Sequence, residues 1–220
     1  MKRLLCLVLL FIPLFAFAAT ATKENNSFQA GRDYLVLPAN ASTKNFDPKG
    51  KVSVIEFFSF GCPACFHLNP TLEKWIKDKP AQVEFQRIPV VFESDWHLYA
   101  RAYYTAKVLG IHNEIAPVMF NALQTEHVDL GTPERMADFF QSHFKTKKAD
   151  FLNIYESPVV DAQLAKNQVV MNDFMVFQIP GIVIDGKYKV DPSLSGNNPQ
   201  RLIDTINYLI AKEKHEKKIS

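Results

Sequence analysis

Residues 52–65 read Val52-Ser-Val-Ile-Glu56-Phe-Phe-Ser-Phe-Gly61-Cys62-Pro63-Ala64-Cys65. Val52–Phe58 is dense in β-branched and aromatic residues and predicts a buried strand. It runs without a polar linker into Gly61 and a Cys-x-x-Cys pair. From Pro63 to Lys79 the pattern turns helical, with Leu68, Leu72, Trp75 and Ile76 at helix spacing. The cysteines therefore fall at a strand-to-helix junction. Unpaired backbone N–H groups and the positive end of the helix dipole favour an anion there. Thiolate, not thiol, attacks a disulfide. Cys62 is expected to be the exposed nucleophile, and Cys65, one turn along, to lie beneath it and close the bridge.

Outward from this junction the pattern alternates and then changes. Tyr34–Leu37 predicts a short edge strand, Lys44–Gly50 a polar turn and Val83–Val91 a second strand. Helical periodicity then dominates. Trp96–Leu109 ends at Gly110, Glu114–Leu123 follows, and Thr132–Pro133 and Ser157–Pro158 each mark an N-cap and first helical position. Nothing reads as a strand between Trp96 and Phe174. Strands return at Gly181–Ile184 and Tyr188–Val190, joined by the hairpin signal Asp185–Gly186. Asn198–Pro199 opens a last helix carrying Leu202, Ile203, Ile206, Leu209 and Ile210. Its end, Lys212–Lys218, mixes Glu with Lys and reads as a solvated face.

The chain of 220 residues begins with Lys2 and Arg3 before an apolar run from Leu4 to Ala19. Ala16-Phe-Ala18 offers small residues at a cleavage position, so residues 1–18 are expected to be a secretory signal peptide. A membrane anchor is the competing reading, but the run is short and Pro13 interrupts it. Cleavage removes Lys2 and Arg3 and no acid, so the formal charge of +2 falls to zero and nothing pulls the chain toward nucleic acid. About 200 residues remain, enough for one domain or one domain with an insertion. Cleavage also removes Cys6, the only cysteine besides Cys62 and Cys65. Export places that pair in an oxidising compartment, the periplasm. A bridge across two residues constrains the unfolded chain little, so a redox role fits better than a structural one. A zinc or iron–sulfur site needs further ligands. No second cysteine pair exists, and His67, His97, His112, His127, His143 and His215 are scattered.

The run from Glu56 to Cys65, followed far downstream by Ile179-Pro180 and Gly186-Lys187-Tyr188, resembles the DsbA family over Tyr34 to Lys212. The resemblance implies a thioredoxin fold with an inserted helical domain, an α/β class. The expected division is 34–95 and 175–215 for the two parts of the thioredoxin-like domain, with 96–174 inserted. It implies a protein dithiol oxidase acting on unfolded exported proteins through Cys62 and Cys65, re-oxidised by a DsbB-like inner-membrane protein. The chain is expected to be monomeric, with no cofactor, metal or nucleic-acid partner. A disulfide isomerase or reductant is the alternative, and a periplasmic copper-binding thiol protein is a more distant one.

The resemblance also assigns further residues. Pro180 falls where the family has a cis-proline facing the site, with Ile179 before it offering its backbone to substrate; the residues alone read as an ordinary trans turn. Glu56 shares a strand face with Val54 and Phe58. A carboxylate there is costly unless paired, protonated or reaching solvent at a strand end. The resemblance makes it a buried proton-relaying acid near Cys65. Arg87 stands where some members carry Lys. Arg does not give up its proton, so pairing with Arg87 is expected to hold Glu56 charged. Pro63 and Ala64 lie between the cysteines, and Ala64 replaces the His of the best-known members, which predicts a less acidic Cys62.

Overall fold

Seven consecutive buried residues set the centre of the molecule. Strand β2, Val52–Phe58, is buried along its whole length, which requires cover on both faces. The computed structural model describes residues 28–38 and 50–219. The expected signal peptide, Cys6 and most of the Lys44–Gly50 turn lie outside the described residues.

The elements run in chain order as β1 (Leu35–Val36), β2, α1 (Pro63–Asp78), β3 (Val83–Pro89), then α2 (Trp96–Val108), α3 (Ile115–Gln124), α4 (Pro133–Phe144), α5 (Lys148–Tyr155) and α6 (Pro158–Asp173). They close with β4 (Gly181–Ile184), β5 (Tyr188–Val190), a short 3-10 turn at Pro192–Ser195 and α7 (Pro199–Ile219). The five strands form one mixed sheet in the order β1-β5-β4-β2-β3. β2 and β3 are parallel across the α1 crossover, with Glu56 opposite Arg87 in the register. β4 runs antiparallel to β2 and pairs with β5. The β4–β5 turn leaves Asp185, Gly186 and Lys187 between the strands and holds Asp185 and Gly186 at φ 50° and 67°, left-handed values that Asp and Gly tolerate.

Alternation along β2 feeds two cores. Val52 and Val54 pack with Leu68, Leu72 and Trp75 of α1 and with Leu202, Ile206 and Leu209 of α7. Ile55 and Phe57 face the opposite layer, closed by Val170, Met171 and Phe174 at the end of α6. A third core belongs to the helical insertion, where Tyr103, Met119, Phe120, Phe140 and Phe151 pack together. Phe58, Phe60 and both cysteines join this third core. Each fully buried Phe contributes about 1.5–3 kcal/mol. The redox pair thus sits on the seam between sheet and insertion.

Two expectations need correction. Helix α5 has no counterpart in the pattern reading. It is only eight residues long and buries just Phe151 and Tyr155. The end of α7 is not uniformly solvated, because Glu213 is fully buried and meets Lys187 at 2.6 Å. That partner lies on the β4–β5 turn, out of reach of any local charge pattern.

Candidate active site

Pro63 occupies the first turn of α1, where its missing N–H leaves nothing unsatisfied. Cys62 is the N-cap, with extended φ/ψ of −91° and 115°. Its sulfur accepts the backbone N–H of Cys65 at 3.3 Å, in the role an N-cap oxygen usually fills. Asn69 and Leu72 follow on the buried face. Gly61 is required just before the pair, since a Cβ there would lie 2.3 Å from the Trp96 indole nitrogen. Gln124 of α3 donates to the Phe60 carbonyl at 2.9 Å. Two side chains of the insertion therefore hold the loop that presents Cys62.

Both thiols are free, and their environments push them apart. Cys62 is held down at about 7, chiefly by the thiol hydrogen of Cys65 pointing at its sulfur. Burial opposes this, the N–H groups of Cys65 and Ala64 assist, and the charge of Glu56 opposes. Cys65 is pushed far up by burial, and further by its hydrogen bond to Cys62 and the fields of Cys62 and Glu56. Cys62 is less open than expected, at 5% exposure against none for Cys65. Its cover is the loop before β4. The Ile179–Pro180 bond is cis, and the Ile179 carbonyl lies 3.8 Å from the Cys62 sulfur. Beside Ala64, a groove of about 270 Å³ runs between α1 and the start of α7, lined by His67, Leu68, Pro192, Ser195 and Leu202.

Glu56 and Arg87 meet as the register places them. Arg87 Nε donates to Glu56 Oε2 at 2.5 Å, and Glu56 is 0% exposed. The strand-end reading of Glu56 therefore fails. Arg87 pairs with it, but not with it alone. The guanidinium divides itself, giving Nη1 to Glu73 at 2.8 Å and Nη2 to Asn69 at 3.0 Å. Glu56 Oε1 is buried with no hydrogen-bond partner among the described residues. Burial accordingly drives Glu56 above the usual carboxylate range, against the attraction of Arg87. Asn69 and Glu73 were missed from the sequence. Their spacing from Cys65 along a helix was visible, but not that Arg87 reaches that face. Phe177 was missed too, 72% exposed two residues before Ile179.

A cysteine pair so arranged is suited to thiol–disulfide exchange, as a dithiol with a disulfide or as a disulfide with a dithiol. That chemistry on this sheet defines a thiol–disulfide oxidoreductase of thioredoxin fold with a helical insertion. A protein-family model described as Thioredoxin matches residues 47–205. The thiol:disulfide interchange protein DsbA of Burkholderia cepacia is 33% identical over 199 residues, covering 90% of this chain and 92% of that protein. The crystal structure of Pseudomonas aeruginosa DsbA superposes with a TM-score of 0.78 at 32% identity, over 87% of this chain and 97% of that one. Reduced DsbA1 from Neisseria meningitidis superposes with a TM-score of 0.74 at 26% identity, over 89% of this chain and 100% of that one. The chain belongs to the DsbA family of thiol:disulfide interchange proteins.

Proposed function

We propose that this chain is a periplasmic oxidase that donates its Cys62–Cys65 disulfide to unfolded exported proteins. Residues 1–18 serve as its signal peptide, and the insertion spans 96–174 between thioredoxin-like parts 34–95 and 175–215. The observation that carries the reading is the opposed acidity of the two thiols. A substrate thiolate attacks the Cys62 sulfur. The Cys62–Cys65 bond breaks, a mixed disulfide forms, and Cys65 leaves with the electron pair and takes a proton. The second substrate thiolate then attacks its own half of the mixed disulfide and Cys62 leaves as a stabilised thiolate. The substrate loses two electrons and two protons, and the pair gains the electrons. A DsbB-like membrane protein then removes them, returning the disulfide.

The Ile179 backbone offers an extended substrate hydrogen-bond partners next to the reacting sulfur. The groove at Ala64 and the exposed Phe177 ring supply apolar surface to either side. The test is the glutathione redox equilibrium of the purified protein. The pair is expected to be more oxidising than thioredoxin, whose potential is about −270 mV. A potential at or below that value would make the chain a reductant.

A second expected outcome is the pH dependence of stability. A thiol near 7 when folded and ~8.5 when unfolded adds stability that is complete above ~8.5 and fades as pH falls through 7. Cys65 is shifted upward, so it acts with the opposite sign, removing stability above ~8.5 where the unfolded thiol ionises. The disulfide form has neither effect. Relative to it, the reduced form gains stability from pH 6 upward to at most about 1 kcal/mol near pH 8.5, trimmed by solvent screening, and loses it beyond. Denaturant melts of both forms across this range measure the curve; a gap that is flat in pH contradicts a stabilised Cys62 thiolate.

A further inference from the structure

A line of polar side chains leads away from Cys65 along α1. Cys65, Asn69 and Glu73 are spaced four apart on α1 and share one helix face. Arg87 of β3 lies along that face, bonded to Asn69, to Glu73 and to Glu56. Glu73 is 21% exposed and opens on a cavity of about 290 Å³ that Arg87 and Tyr103 also line. Glu56 has no such outlet. One fixed cation therefore serves two carboxylates, of which only the outer one has water to fall back on.

We propose that Glu73 is a positioning residue for the thiol exchange: by holding one edge of the Arg87 guanidinium, it withholds positive charge from Glu56 and leaves that buried acid free to carry a proton beside the thiols. The inference rests on the oxidoreductase reading of the site and adds a residue to it. The ionisable groups facing Glu56 are Arg87 from β3, Cys62, Cys65 and Glu73 from α1, and Tyr103 from α2; β4 faces it with Ile182. Lys77, Lys107 and His112 stand on the cavity side of Glu73. A neutral Glu56 leaves the Cys62 thiolate undisturbed, whereas an ionised one repels it. If Glu73 is removed, Arg87 can turn both nitrogens of an edge to Glu56, a bidentate arrangement that holds it ionised.

The expected sign separates this from simple charge removal. Deleting a nearby negative charge makes a thiol more acidic. Glu73→Gln is expected instead to make Cys62 less acidic, lowering its thiolate fraction about twofold to threefold below its midpoint. Thiolate absorbance of the reduced full-length protein, followed against pH, reads this for Glu73→Gln, Glu56→Gln and the double variant. Glu73→Ala is a second probe should the glutamine take over the bond to Arg87, and it should give the same sign. In the Glu56→Gln background the Glu73 substitution should have no effect. A more acidic Cys62, an unchanged one in both Glu73 variants, or a shift that persists without Glu56 would each overturn the proposal. The titration needs only reduced thiols, so a failure of protein oxidation would refute the oxidase reading without deciding this one.

Discussion

Cys62→Ser is expected to abolish disulfide exchange, and Cys65→Ser to trap mixed disulfides with disulfide-bearing substrates. The asymmetry follows from helix α1. Cys62 caps the helix, so its sulfur accepts a backbone N–H and has a thiol value of about 7. Roughly half of it is thiolate near pH 7. Cys65 is fully buried and held protonated by that burial. Cys62 keeps a small exposed edge beside the Ile179 carbonyl, whereas a substrate cannot reach Cys65 without unpacking the insertion core. With Cys65 replaced, the mixed disulfide on Cys62 loses the intramolecular thiol that would reverse it. Given a disulfide-bearing protein, the Cys62 thiolate of this variant attacks one of its sulfurs, the other leaves as a thiolate, and covalent complexes should accumulate on non-reducing gels. Alkylation of the reduced wild-type protein at about pH 7 should label Cys62 more than tenfold faster than Cys65, because rate follows thiolate fraction and access. Complexes trapped by Cys62→Ser, or faster labelling of Cys65, would reverse the assignment.

How much of this was legible in the sequence depended on how local its cause is. β2 announced itself because a strand buried on both faces is mostly apolar, and β4–β5 because Asp185–Gly186 takes the left-handed backbone that its tight turn uses. The start of α4 was readable for the same reason: Thr132 accepts the Arg135 N–H, a bond within four residues. Ser157 gave the same signal and starts α6 at the expected place, yet its side chain makes no such bond. What escaped reading is long-range. The Trp96 contact that demands Gly61 joins the insertion to the active-site loop. The burial of Glu213 depends on Lys187. The division of Arg87 among Glu56, Glu73 and Asn69 requires the parallel register of β2 and β3 together with the phase of α1. Each component was visible, but the sum was not, so Arg87 was read as the partner of one acid when it serves two.

That shared cation makes Arg87→Met the substitution expected to cost most in stability. It removes one half of a buried ion pair while leaving the other half in place, a change that typically costs about 3–5 kcal/mol. Glu73 has solvent as a substitute partner; Glu56, fully buried with Oε1 already unpaired, has none. The folded variant can keep Glu56 only as the neutral acid, which sets the pH dependence. Glu56 is already raised above the ordinary carboxylate value of ~4.3 by burial, and loss of Arg87 raises it further. A carboxyl raised on folding disfavours the folded state wherever the unfolded chain ionises it, so the penalty is present above ~4.3 and shrinks as pH falls toward that value. Acid also loosens other carboxylate pairs, such as Asp33 with Arg201, in both proteins. The quantity to follow is therefore the difference between variant and parent. Denaturant melts should show that difference narrowing between about pH 7 and pH 4.5. Adding Glu56→Gln should recover more than 1 kcal/mol of it at pH 7, because an amide is neutral without the proton that Glu56 must take up on folding. A deficit that neither narrows with acid nor responds to Glu56→Gln would trace the loss to the packing of the guanidinium against Phe58 and Phe85, the two rings it also covers, rather than to its charge.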